Sequence, residues 1–245
     1  MLGHVRERDD LVTGRGEASD LRAARSACAI LWDVDGVIID SGEQHRRSWA
    51  AMAAEHSLPY ADADFWATFG MRNQDIIPQV FGVRAPDQVA AMADRKEELY
   101  RELLRREAVA LPGARELMAA LHAAGYHQAL GSSAPVANIE AIIELLGIRP
   151  WLDGYISGER VARGKPAPDI FLAGAALLGV DPARCLVIED APAGIQAARA
   201  GGMRCVAVRR AGQDDAPGLE AADRVVDSLL TLDVAAVDAL LAVRS

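Results

Sequence analysis

Residues 27–41 read ACAILWDVDGVIIDS, an apolar run that stops at two aspartates two positions apart and a glycine. A short apolar block bounded by a turn predicts a strand covered on both faces, as in a parallel sheet. Similar runs recur at 127–133 (HQALGSS), 184–190 (RCLVIED) and 204–210 (RCVAVRR). Helical patterns separate them: ARELMAALHAAG after Pro112-Gly113, NIEAIIELLG from Asn138, PDIFLAGAALLG from Pro168 and AGIQAARAGG from Ala193. Strands alternating with helices of this length predict an α/β core, a parallel sheet with helices on both faces. Residues 41–110 break the alternation with helical patterns alone, among them a long charged helix from about Pro86 to Glu107. The expected organisation is therefore a loose tail over 1–26, a core over 27–40 and 111–245, and a helical cap over 41–110.

Composition narrows the function. Among 245 residues, 26 Lys and Arg stand against 35 Asp and Glu, a net charge of −9, and no dense basic run occurs. Such a surface repels phosphate backbones and anionic lipid, so nucleic acid and membranes are not expected partners. No stretch reaches the roughly 18–20 apolar residues of a membrane span. The first 26 residues lack the apolar segment of a secretory signal. The three cysteines (28, 185 and 205) are too scattered for a disulfide framework or a zinc site, which suits a reducing cytoplasm. A monomer is expected.

In an open parallel sheet the ligand sits beyond the carboxyl ends of the strands, so the polar residues there carry the chemistry. Asp33 and Asp35 fall on one side of a continuing strand, and Gly36 lets the chain turn beneath a bound group. Two close carboxylates are tolerable if a divalent cation lies between them or if one takes a proton; a capped turn or a calcium-type loop would also read this way. Glu189-Asp190 ends its strand with further oxygen ligands for a hard cation such as Mg²⁺, or caps the following helix. Lys165, in RGKPAPDIF, can present a point charge to a phosphate or to a nucleophilic carboxylate. Ser132 offers a hydroxyl where a strand gives way to a helix start, a place suited to anions. Gly158 to Lys165 is not a P-loop, because five residues separate its glycines and Pro166 stands where a hydroxyl is needed.

In order along the chain, DVDGVIIDS at 33–41, Ser132 in ALGSS, Lys165 in GKPAPDIF and IEDAPAGIQAARAGG at 188–202 resemble the four motifs of the haloacid dehalogenase superfamily. The similarity is to its phosphatase and β-phosphoglucomutase-like branch, with a Rossmann-like core and a helical cap after the first motif. The resemblance implies that Asp33 is a nucleophile forming an aspartyl-phosphate and that Asp35 is the general acid and base. It implies that Asp33, Asp35 through its backbone carbonyl, and Asp190 hold Mg²⁺, with Glu189 supporting the site. Ser132 and Lys165 would bind the phosphoryl oxygens, and Ser133 beside them joins the candidate substrate contacts. Asp35 argues against the dehalogenase and phosphonatase branches, which lack an acid there.

Two reactions then compete: hydrolysis of a small phosphorylated metabolite, plausibly a sugar phosphate, or mutase transfer within one. His45 and Lys96 resemble cap residues of the mutases. Pro135 replaces their lysine, Arg72 stands one place early, and Phe69 takes the place of another lysine, which favours water as the acceptor. Met71 and Asn73 are further candidates for selectivity, and Trp32, Trp49 and Trp66 are expected to be packing residues. A non-catalytic metabolite-binding protein is the remaining alternative, at odds with a complete acid–base and metal set.

Overall fold

The computed structural model describes residues 19–68, 71–209 and 217–243. In chain order the elements are β1 (Ala29–Trp32), α1 (Gly42–Glu55), α2 (Asp62–Thr68), α3 (Asn73–Phe81), α4 (Pro86–Glu107), α5 (Ala114–Ala124), β2 (His127–Ser132), α6 (Val136–Leu146), β3 (Gly154–Ser157), α7 (Asp169–Leu178), β4 (Cys185–Glu189), α8 (Pro192–Ala200), β5 (Arg204–Val208), β6 (Arg224–Val226) and α9 (Val234–Leu240). Among the described residues six strands form one sheet, all parallel, in the order β3-β2-β1-β4-β5-β6. The chain leaves β1 towards β2 on one side and returns to β4 on the other, so the switch point, and with it the ligand crevice, lies at the ends of β1 and β4.

Alternation along the strands divides the core. Ile30 and Trp32 join Leu130, Ile188 and Val206 on one face, packed under α5 and α6; Leu31 joins Val187 and Phe171 on the other, under α7 and α8. Each large side chain so buried contributes about 1.5–3 kcal/mol relative to exposure.

The helices between 42 and 107 form a third apolar cluster around Trp49, Met52, Ile77 and Met92. The two connections to this cap run side by side: Ile39 bridges Ala110, and Leu111 N–H donates to the Ile38 carbonyl at 2.9 Å. The long helix α4 belongs to both layers, because its Tyr100 and Leu104 are buried in the sheet's core cluster.

Three expectations need correction. The tail is not loose as far as residue 26: residues 19–26 are helical, Arg25 grips Asp238 with two hydrogen bonds of 2.9 and 2.6 Å, and Tyr126 donates to the same carboxylate at 2.5 Å. Residues 1–18, Phe69 and position 210 lie outside the described residues. Strands β3 and β6 went unanticipated because both are short and at sheet edges, where little apolar sequence is needed. Trp66 is 60% exposed and meets the protein edge-on at the Phe65 ring, with centroids 4.9 Å apart, since α2 turns Phe65 and Thr68 inward.

Asp238→Ala is expected to lower the unfolding free energy by about 2 kcal/mol, because it removes a carboxylate accepting three hydrogen bonds. Urea denaturation reads this, and an unchanged midpoint would show that 19–26 is not held in this way.

Candidate active site

Parallel register assembles the acids. Trp32 pairs with Ile188, and Asp33 N–H donates to the Ile188 carbonyl at 2.9 Å, so the residues after β1 and at the end of β4 lie side by side. Asp33, Glu189 and Asp190 are all buried, and one ligand oxygen from each lies within 4.8 Å of the others. Lys165 Nζ donates to Asp33 Oδ1 and to Glu189 Oε1, both at 2.6 Å. It sits over the Phe171 ring, 4.8 Å from the centroid, and Phe171 in turn packs beneath Gly131, where an added Cβ would lie 3.0 Å from the ring. Glu189 Oε2 accepts from the backbone N–H groups of Asp190 and Ala191, each at 2.8 Å. Gly194, in the first turn of α8, leaves room for that carboxylate: a Cβ there would lie 1.7 Å from Glu189 Oε1.

Three carboxylates against one ammonium leave this cluster at a formal −2. Burial drives the Asp33 carboxyl up to about 7 against the pull of the Lys165 ammonium. Burial disfavours the charge on Lys165 too, yet Asp33 and Glu189 outweigh it and hold the lysine protonated. A dense set of hard oxygen donors with that charge suits a divalent cation such as Mg²⁺.

Asp35 stands outside this cluster although it is only two residues away. Gly36, at φ 84°, starts a tight turn closed by its N–H to the Ile39 carbonyl at 2.8 Å, and the Asp35 side chain meets the cap. Its Oδ1 accepts from Ser41 Oγ at 2.5 Å, Tyr100 OH at 3.0 Å and His45 Nε2 at 3.2 Å. A metal contact from Asp35 would therefore use its backbone carbonyl. Burial alone would raise the Asp35 carboxyl, but the His45 ring and these hydrogen bonds win and hold it well below the usual carboxylate range.

His45 is oriented from both sides. Its ring stacks on Tyr100 with centroids 3.9 Å apart, and its Nδ1 lies 2.8 Å from Lys96 Nζ. An ammonium has no lone pair to offer, so Nδ1 accepts and Nε2 carries the proton that faces Asp35. Lys96 also donates to Glu97 Oε1 at 2.8 Å, and the same carboxylate accepts from Asn73 Nδ2 at 2.6 Å and Asn138 Nδ2 at 2.5 Å. Arg101 NH1 fixes the other end of the Asn138 amide at 2.9 Å. A buried polar chain thus runs from Asp35 through the cap to α6 of the core.

Ser132, Ser133, Arg72 and Asn73 line one cavity of about 670 Å³ with Asp33, Asp35, His45, Lys96, Lys165, Glu189 and Asp190. Asn73 and Lys96, expected at the substrate, spend hydrogen bonds on Glu97, and Arg72 is ion-paired with Asp75 at 3.1 Å. Sequence reasoning missed Ser41, Tyr100, Glu97 and Asn138. Helical spacing was the available signal, since Tyr100 and Arg101 lie one turn beyond Lys96 and Glu97.

The haloacid dehalogenase-like hydrolase family matches residues 29–202. The chain belongs to the haloacid dehalogenase-like hydrolases. It is 34% identical over 181 residues to fructose-1-phosphate phosphatase YqaB of Escherichia coli (strain K12), covering 74% of this chain and 95% of that one. Hexitol phosphatase A of the same organism is 34% identical over 206 residues, with coverages of 83% and 92%. The crystal structure of CbbY from Rhodobacter sphaeroides in complex with phosphate matches with a TM-score of 0.77 at 28% identity, covering 86% of this chain and 98% of that one. The expectation of a phosphoryl-transfer hydrolase of the haloacid dehalogenase-like family, built as a parallel sheet with a helical cap, stands.

Burial would raise the Glu97 carboxyl, but Lys96 and the Asn73 amide outweigh it and hold it at about 2. A depressed carboxyl contributes stability in full above its ordinary value of 4.5, lost as pH falls towards 2. Glu97→Gln should therefore cost about 3 kcal/mol near pH 7, and the gap to wild type should close between pH 4.5 and 2. Denaturation across that range measures it, and a gap independent of pH would refute the ion pair's role.

Proposed function

We propose that this chain is a Mg²⁺-dependent phosphatase that hydrolyses a small phosphorylated metabolite, a sugar phosphate, through an aspartyl-phosphate on Asp33. The observation that carries the reading is the separation of Asp33 from Asp35. Two acids two residues apart sit in opposite environments, one among carboxylates and an ammonium, the other held by hydroxyl and imidazole donors. Pairs of titratable groups pushed apart in this way are suited to different roles in one reaction.

Asp33 forms the bond to phosphorus while the ester oxygen leaves. The leaving oxygen takes a proton from Asp35, and Asp35 then takes one from the water that displaces phosphate from Asp33. As held here Asp35 is a carboxylate, the form that deprotonates water. The proton for the first half-reaction can reach it along the Lys96, His45 and Asp35 contacts, whose donors already point that way. Ser132, Ser133 and Lys165 would bind the phosphoryl oxygens, where positioning and charge neutralisation supply most of the rate. Asp33, Asp190 and the Asp35 carbonyl would hold Mg²⁺, with Glu189 supporting them; the ion would neutralise the developing phosphoryl charge. His45, Lys96, Arg72 and Asn73 would position the substrate from the cap. The three buried free thiols suit the cytoplasm, where we place a monomeric enzyme acting on a small metabolite.

Asp33→Asn should reduce phosphate release by at least about 1000-fold, and EDTA should abolish it reversibly on adding Mg²⁺. Full activity in the variant would sink the nucleophile assignment. Conversion of β-glucose 1-phosphate to glucose 6-phosphate, stimulated by a bisphosphate primer and releasing little phosphate, would favour the mutase instead. Gly194→Ala, which drives a methyl into Glu189, should lower turnover at least about 100-fold with an unchanged circular dichroism spectrum.

A further inference from the structure

The charges on the cavity wall are lopsided. Beyond the four acids at the strand ends, the wall carries Asp94, Glu97 and Glu159, against the side chains of Arg72, Lys96 and Lys165. Lys165 is held between Asp33 and Glu189, and Lys96 between His45 and Glu97. Arg72 already faces the Asp75 carboxylate at 3.1 Å. Once Lys165 and a divalent cation have served the phosphoryl group being transferred, Arg72 is, among the described residues of the wall, the cation least engaged by buried partners and so the one left to meet a second anion.

The start of α6 makes the same point in its own geometry. Backbone N–H groups at a helix start commonly receive an anion. Here Pro135 has no N–H, Ala134 N–H donates to Ser132 Oγ at 3.1 Å, and Val136 N–H donates to Glu159 Oε2 at 3.1 Å. Glu159 is set against this loop because Gly158 packs on Ser133, where a Cβ would lie 2.5 Å from the Ser133 carbonyl oxygen. The Glu159 carboxylate thus stands on the exposed side of the cavity wall beside residues 132–136, where the helix start would otherwise receive an anion, and like charges there repel.

We infer that Glu159 is a specificity-determining residue that rejects bisphosphates, so that the substrate is a monophosphate whose far end bears hydroxyl or amine groups. This deepens the phosphatase reading and rests on it. The experiment measures kcat/KM for phosphate release by the whole chain with Mg²⁺, using p-nitrophenyl phosphate, a panel of hexose and hexitol monophosphates, and fructose 1,6-bisphosphate with glucose 1,6-bisphosphate. The best monophosphate should exceed the best bisphosphate by at least about tenfold in wild type. Glu159→Gln should raise the bisphosphate-to-monophosphate ratio by at least about fivefold, whereas Glu116→Gln, which removes an equal charge on the distant α5, should leave it unchanged. If wild type cleaves p-nitrophenyl phosphate but handles bisphosphates as well as monophosphates, or if Glu159→Gln leaves the ratio where it was, this inference fails while the phosphatase reading stands. Release of no phosphate from any ester overturns both.

Discussion

Lys165 lies between Asp33 and Glu189 at 2.6 Å from each, with Asp190 beside them, and much of the architecture exists to make that crowding tolerable. Three buried carboxylates would repel strongly in a medium poorer than water at screening charge. The fold answers with an ammonium fixed on Phe171, with backbone N–H groups at the start of α8 turned onto Glu189, and with a glycine where any side chain would collide with that carboxylate. The remaining negative charge is an invitation to a divalent cation.

Parallel pairing is the device that gathers these groups. Side by side, β1 and β4 bring Trp32 opposite Ile188, so that Asp33, just after β1, lies beside Glu189 at the end of β4 and Asp190 after it. Ser132 arrives from β2 on the other flank of β1, and Ser157 pairs with it from β3. The cap then closes the opposite side through Tyr100, His45 and Glu97. Because α4 is buried in the sheet's core at Tyr100 and Leu104 yet carries Lys96 and Glu97 in the cap, one rigid helix sets the position of both layers relative to Asp35. The cavity between them is lined by more carboxylates than cations, and the cations it holds are already engaged by them.

The sequence by itself determined the alternation of strands and helices, the helical insertion after β1 and the position of the polar residues at the strand ends. These are properties of local pattern: apolar runs of strand length, prolines and glycines at boundaries, and carboxylates where a run stops. The long helix α4 spans Pro86–Glu107, as its charge pattern and its opening proline indicate. Edge strands β3 and β6 left too little apolar sequence to be seen, and the helix over 19–26 is held by Asp238, more than two hundred residues away in the chain. What only the tertiary structure decided was the partnership of each charge. Asp33 and Asp35 are indistinguishable as letters, and the turn at Gly36 sends one to a lysine 132 positions on and the other to a tyrosine 65 positions on. Glu97, Asn138 and Glu159 acquire a role solely from what faces them, because electrostatic interactions and hydrogen bonds depend on distance in space, and spacing along the chain does not record it.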